Sequence, residues 1–171
     1  MRITEEKAER HTLAVLVDNE PGILARIAGL FTARGYNIES LTVSDVTADK
    51  AVSRITIVTS AIAATMEQIL AQLDRLIPVH SVTDLTALGP HVERELALVK
   101  VAGTGDRRIE AMRLAEVYRA RVVDATIASF VFEVTGGRDK IDKFVELMGE
   151  VGLVEVARTG IVAIARGKDA A

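Results

Sequence analysis

Along the first half of the chain, apolar positions alternate between short runs and helical stripes. Thr12 to Val17 is an apolar run that stops at Asp18-Asn19-Glu20-Pro21-Gly22, which predicts a buried strand ended by turn residues. Ile23, Leu24, Ile27, Leu30 and Phe31 then recur at helical spacing, with Pro21 or Gly22 opening the helix and Gly35 placed as its C′ residue. Asn37 to Val46 follows as a strand with Leu41 and Val43 on one face and Thr42 and Ser44 on the other. A polar connection, Asp45 to Lys50, leads to a β-branched run from Val52 to Thr59, and the pair predicts a hairpin. Met66, Ile69, Leu70, Leu73 and Leu76 mark a second amphipathic helix closed by Pro78, and a fourth strand is expected from Val79 to about Leu88. The order β-α-β-β-α-β is the split βαβ, or ferredoxin-like, unit.

Gly89-Pro90 marks the boundary, and beyond it the pattern repeats in kind but not in identity. Glu95 to Val101 predicts a strand, Asp106 to Tyr118 a helix, and Val122 to Ile127 with Phe130 to Thr135 a hairpin. Ile141, Phe144, Val145 and Met148 form a helical stripe, and a last strand starts near Val154. The fold class is therefore α+β, with two ferredoxin-like βαββαβ units. Residues 1–10 are expected to be a flexible tail, 11–88 the first domain and 89–171 the second.

Composition narrows the functional classes. Aromatic residues are only 4% against 49% hydrophobic overall, so the cores are expected to be built from Val, Ile, Leu and Ala. Basic residues number 8 against 11 acidic in residues 1–88, and 13 against 13 in the remainder. Neither half has the cationic excess that binding a phosphate backbone demands, so no nucleic-acid partner is expected. Cysteine is absent, which removes thiolate nucleophiles and Cys-based metal sites and fits a reducing, cytoplasmic setting. The opening MRITEEKAER has no apolar core of a secretory signal, and no apolar run approaches the ~20 residues of a membrane span.

Two segments carry candidate chemistry. At Asp18 to Leu24 a strand feeds a tight turn that opens a helix, so free N–H groups and the positive end of the helix dipole converge. Such a point suits a carboxylate; Gly22 permits close approach, and the Asn19 amide can donate to a carboxylate or accept from an ammonium. The same residues also make an ordinary helix start, with Asn19 or Glu20 as cap. Asn37, at the head of the next strand, can face a ligand or a symmetry mate, or serve as a turn asparagine in the left-handed region. His11, His80 and His91 have no partner at metal-ligand spacing. Gly103-Thr104-Gly105 lacks the rest of a phosphate loop and reads, like Gly136-Gly137, as a turn. Arg158 and Arg166 read as solvated surface charges. No nucleophile elbow or general base stands out, and no catalytic residue is expected.

NEPGILARIAGLFTARGYNIESLTV (residues 19–43) resembles the N-terminal signature of the acetohydroxyacid (acetolactate) synthase small subunits. The likeness continues through SRITIVT (53–59), HVERELALVKV (91–101) and VEVARTGIVAIARG (154–167), in order and over almost the whole chain. The resemblance implies an N-terminal ACT domain and a C-terminal ACT-like domain. It implies a homodimer with valine bound at the ACT interface, where Asn19, Gly22, Ile23, Leu24 and Ala25 of one protomer meet Asn37 and Ile38 of the other. Asn19, Gly22 and Asn37 match the family's binding positions directly, while Pro21 stands where a small polar residue is common and stiffens the turn. The implied partner is the large catalytic subunit, which holds thiamine diphosphate, Mg and in many cases FAD and condenses pyruvate to 2-acetolactate; this chain holds no cofactor. Its implied role is activation and valine feedback inhibition in branched-chain amino-acid biosynthesis. The competing readings are an amino-acid-sensing ACT module serving another partner, and a small hydrolase on a ferredoxin-like scaffold, for which no arginine–asparagine phosphate site is found.

Overall fold

The computed structural model describes residues 7–168 and 170. The chain divides into two compact units: one runs to Val92 and is rejoined by the segment from Ile161, and the other is Glu93–Gly160. This differs from a boundary at Gly89-Pro90 with everything beyond it in one domain. The expected tail over 1–10 lies outside the described residues as far as residue 6, and Glu9 and Arg10 already belong to a strand.

In the first unit, β1 (Glu9–Asp18), β2 (Ser40–Asp45), β3 (Val52–Ala61) and β4 (Val79–Asp84) form one antiparallel sheet in the order β2-β3-β1-β4. α1 (Ile23–Ala33) and α2 (Ala63–Asp74) connect β1 to β2 and β3 to β4, as the βαββαβ order requires. Leu13, Val15 and Val17 of β1 and Ile55 and Ile57 of β3 alternate onto one face, where they bury Ile27, Phe31, Ile69 and Leu73 of the helices. α1 ends as its sequence predicts. Gly35 has φ 68°, its N–H bonds to Thr32 O at 3.2 Å, and the Tyr36 N–H bonds to Phe31 O at 2.9 Å. This is the Schellman arrangement, completed by an edge-on Phe31–Tyr36 contact with ring centroids 6.1 Å apart.

The strand expected from Val79 to Leu88 is shorter than its apolar pattern. Asp84 ends it by accepting hydrogen bonds from the N–H groups of Thr86 and Ala87, which caps a one-turn helix, α3 (Leu85–Leu88).

The second unit repeats the topology. β5 (His91–Ala102), α4 (Asp106–Val117), β6 (Arg121–Ala125), β7 (Ser129–Gly136), α5 (Arg138–Val151) and β8 (Leu153–Arg158) give the order β6-β7-β5-β8. Its core is less purely aliphatic than composition suggests: Phe130, Phe132 and Phe144, three of the four phenylalanines, pack together beside Tyr118. Arg158 is not a freely solvated charge. It donates to the buried Glu95 carboxylate through Nε and to Asp142 Oδ1 at 2.6 Å, and the Glu95 bond, helped by Asp142, raises the guanidinium pKa further above its ordinary value.

A ninth strand, β9 (Val162–Ala165), has no counterpart in the expected order and pairs with β5. Ala163 is buried in a cluster with Ala14 and Leu85, on the opposite side of the first sheet from α1 and α2.

Two glycines test the packing in opposite senses. Gly152 has φ 115°, and a Cβ there would stand 2.1 Å from Ala102 O, whereas a Cβ at Gly149, inside α5, would meet nothing within 4 Å. Gly152→Ala is expected to cost at least ~2 kcal/mol. Gly149→Ala is expected to gain ~0.5–1 kcal/mol. Denaturant unfolding of the two variants checks both signs.

Candidate functional site

The turn after β1 is built from backbone bonds that leave one helix end bare. Asp18 N–H donates to Pro78 O and Asn19 N–H to Ala51 O, both at 2.8 Å, so the exit from β1 is pinned to neighbouring segments. Gly22 adopts φ 89° at the N-cap of α1, a left-handed conformation that strains any other residue, and no side chain caps the helix. Neither Asn19 nor Glu20 fills that role: Glu20 pairs with Arg26 at 3.3 Å instead. Among the described residues, the N–H groups of Leu24 and Ala25 meet no acceptor. They therefore form an anion-ready helix terminus.

The other long helices that open at a glycine differ. α4 and α5 start after Gly105 and Gly137, but Asp106 and Asp139 stand in their first turns, while α1 has no acidic residue there. Those carboxylates already complement the helix dipole and repel a second anion.

Asn19 is more constrained than its sequence context shows. Its Nδ2 donates to Lys50 O at 2.9 Å and to Asp45 Oδ1 at 3.2 Å, which ties the turn to the far end of β2. The amide oxygen remains as the acceptor. Beside it, hydrogen bonds from the Thr47 side chain and the Ala51 N–H hold the Asp49 carboxyl below its ordinary pKa. Ile23 is buried in the core and offers only backbone to a ligand, while Leu24 and Ala25 are exposed.

Asn37 is exposed and does not adopt a positive φ; only Lys50 and Arg119 do so among non-glycine residues described. Its carbonyl accepts from Thr59 Oγ1 at 2.6 Å, which fixes the start of β2 against β3. Ile38 is half-buried against the core.

The register shows which of these residues meet. Asn19 is bonded to Ala51, at the head of β3, and Asn37 to Thr59, eight residues along it. At ~3.3 Å per residue those two partners are about 26 Å apart along β3, which puts the asparagines at opposite ends of the sheet. One chain gathers Asn19, Gly22, Leu24 and Ala25 together but leaves Asn37 and Ile38 away from them.

Comparison with known proteins gives the family. Residues 13–81 match the model of the AHAS small subunit-like ACT domain, and residues 94–167 match that of the small subunit of acetolactate synthase. The chain belongs to the acetolactate synthase small subunits. A protein from Archaeoglobus fulgidus described as a probable acetolactate synthase small subunit is 48% identical, over 92% of this chain and 98% of its own length. The acetolactate synthase small subunit of Aquifex aeolicus is 46% identical, over 96% of this chain and 85% of its own. The crystal structure of the Thermotoga maritima acetolactate synthase small subunit superposes with a TM-score of 0.85 at 36% identity, covering 94% of this chain and 99% of that one. This small subunit thus has an ACT domain as its first unit, and its family name implies a large catalytic subunit as partner. Among the described residues, no helix is long and apolar enough to cross a membrane, and no group of three His, Asp or Glu side chains is arranged to hold a metal ion.

At Gly22, an added Cβ would meet nothing within 4 Å, so substitution there costs strain alone. Gly22→Ala is expected to lower stability by ~1 kcal/mol without unfolding the ACT unit. Thermal unfolding with circular dichroism checks this, and a loss well beyond that size would show the turn to be packed more tightly than it stands here.

Proposed function

We propose that this small subunit is the non-catalytic, regulatory component of acetolactate synthase, which binds valine between two ACT units, activates the catalytic subunit and makes it valine-sensitive. The observation that carries this reading is the split site: a bare helix terminus at one end of the sheet, and the second half of the expected site at the other end.

β2 is a free edge of the first sheet, and an unpaired edge invites a partner strand. A two-fold axis perpendicular to the sheet beside β2 would pair two copies of it antiparallel. That operation reverses the ends, so Asn37 and Ile38 of one protomer come to the Asp45 end of the other, where Asn19 is already tied to Asp45. The chemistry then suits an amino acid. The N–H groups of Leu24 and Ala25 receive the carboxylate, the oxygens of Asn19 and Asn37 receive the ammonium, and the exposed Leu24 with Ile38 meets a branched aliphatic side chain. Pyruvate condensation belongs to the thiamine-diphosphate-dependent large subunit, with its Mg and, in many members, FAD. Valine acts through the regulatory subunit by favouring one state of the complex, and the catalytic subunit changes valine affinity by the same factor. The setting is cytoplasmic branched-chain amino-acid synthesis.

The test is acetolactate formation from pyruvate by the cognate catalytic subunit, with and without this chain, each with and without valine. Activation that valine suppresses is the expected result; no effect on an active catalytic subunit overturns the reading. Asn19→Ala and Asn37→Ala are each expected to raise the half-inhibitory valine concentration at least tenfold while leaving activation within twofold. Because Asn19 also braces the turn, its variant should lose stability as well, whereas Asn37→Ala should not; calorimetric valine titration and thermal unfolding together separate the two effects.

A further inference from the structure

The segment from Ile161 to Arg166 belongs to the first unit although the whole second unit, Glu93–Gly160, precedes it in sequence. It lies across the face of the ACT sheet that carries no long helix. The Ile161 N–H donates to Ser40 Oγ at 2.8 Å, and Thr42 Oγ1 donates back to Ile161 O at 2.7 Å. Arg54 donates to Ala163 O at 2.9 Å, and burial pushes its guanidinium pKa below the ordinary value. Arg166 N–H donates to Pro90 O at 3.1 Å. Ile161 and Ala163 are buried, while Val162 and Ile164 point outward, so the strap has one committed face.

Its two anchors on β2 stand next to the segment that the proposed function assigns to valine. Ser40 is two residues past Ile38, and the intervening Glu39 N–H is bonded to Val58 O at 2.8 Å. On the other side, Thr159 is fixed within the second unit. Its N–H donates to Leu96 O at 2.9 Å, and its Oγ1 accepts from the Leu96 N–H at 3.0 Å. Only Gly160 separates a residue fastened to Leu96 from a residue fastened to Ser40 and Thr42.

From this, we infer that the Ile161–Arg166 strap is a relay through which occupancy of the Asn37–Ile38 segment reaches the second unit, with Ser40 and Thr42 as its positioning residues. The inference rests on valine binding at Asn37–Ile38. Its physical basis is the absence of slack. Two residues span at most ~7 Å, so a shift of the start of β2 cannot be absorbed between Ile161 and Thr159 without breaking an anchor on one side or moving it. A strap that merely covered the sheet would need the same hydroxyl bonds but not the short tether. The two roles are therefore separable.

The experiment inserts two glycines between Gly160 and Ile161 of the full chain, which leaves both sets of anchors in place and adds slack. It compares this insertion variant and a Ser40→Ala/Thr42→Val variant with the unaltered chain, each in complex with the catalytic subunit. Valine binding is read by calorimetry, inhibition by acetolactate formation, and integrity by thermal unfolding. The insertion variant is expected to bind valine within twofold of the unaltered chain, to unfold at the same temperature and to activate normally. Its half-inhibitory valine concentration should rise at least tenfold, or its maximal inhibition should fall by at least half. The hydroxyl-deleted variant should show the same loss of inhibition with a lowered unfolding temperature. Unchanged inhibition in the insertion variant, with valine bound, overturns the relay and leaves the proposed function standing. Absence of valine binding to the unaltered chain overturns the proposed function itself, and the relay with it.

Discussion

Ten consecutive residue pairs join β1 to β3, from Glu9 opposite Ala61 to Asp18 opposite Val52, with no bulge. This ladder is the ruler of the ACT unit. A slip of one residue would turn Leu13, Val15 and Val17 out of the core and bring Thr12, Ala14 and Leu16 in, so the hydrophobic effect fixes the register as firmly as the hydrogen bonds do. The ladder sets the exit of β1 against Ala51 and, through β2 on the far side of β3, the entry of β2 against Thr59. The separation of Asn19 from Asn37 is a property of strand length, and the proposed sharing of a site between two copies rests on it.

Much of this was legible in the chain itself. An unbroken apolar run placed Thr12 to Val17 in a strand, and a β-branched run placed Val52 to Thr59, because a strand buried on both faces leaves few polar positions. The stripe Ile23, Ile27, Leu30, Phe31 placed α1, and Gly35 marked its end because a Schellman turn needs a left-handed residue there. The pattern misled at Leu85 and Leu88, whose apolarity resembles a continuing strand. There the local competition was decided by Asp84, whose carboxylate offers two helix N–H groups a better acceptor than the ladder does.

Other features left no local trace. Arg158 resembles any surface arginine until the fold brings Glu95 and Asp142 to it from 63 and 16 residues away. The Asn19 amide looks free to meet a ligand, yet a loop more than twenty-five residues downstream occupies both its protons. The turn at Gly22 was visible as chemistry, but what distinguishes it from Gly105 and Gly137 is that α1 lacks the acidic first turn of α4 and α5. That contrast emerges once the helix starts are known. The return of Ile161 to Ser40 and Thr42 could not be read at all, since small residues and hydroxyls carry little periodic signal.

The strap also orders events in time. On the ribosome, residues 93–160 leave the tunnel before Ile161 does, so the four strands of the ACT sheet and the whole second unit are made before the segment that packs on Ala14 and Leu85. Ala14 and Leu85 wait uncovered through that interval, and the nascent ACT unit is closed by the residues that follow the second unit. The domain made first is thus finished by residues made after the second.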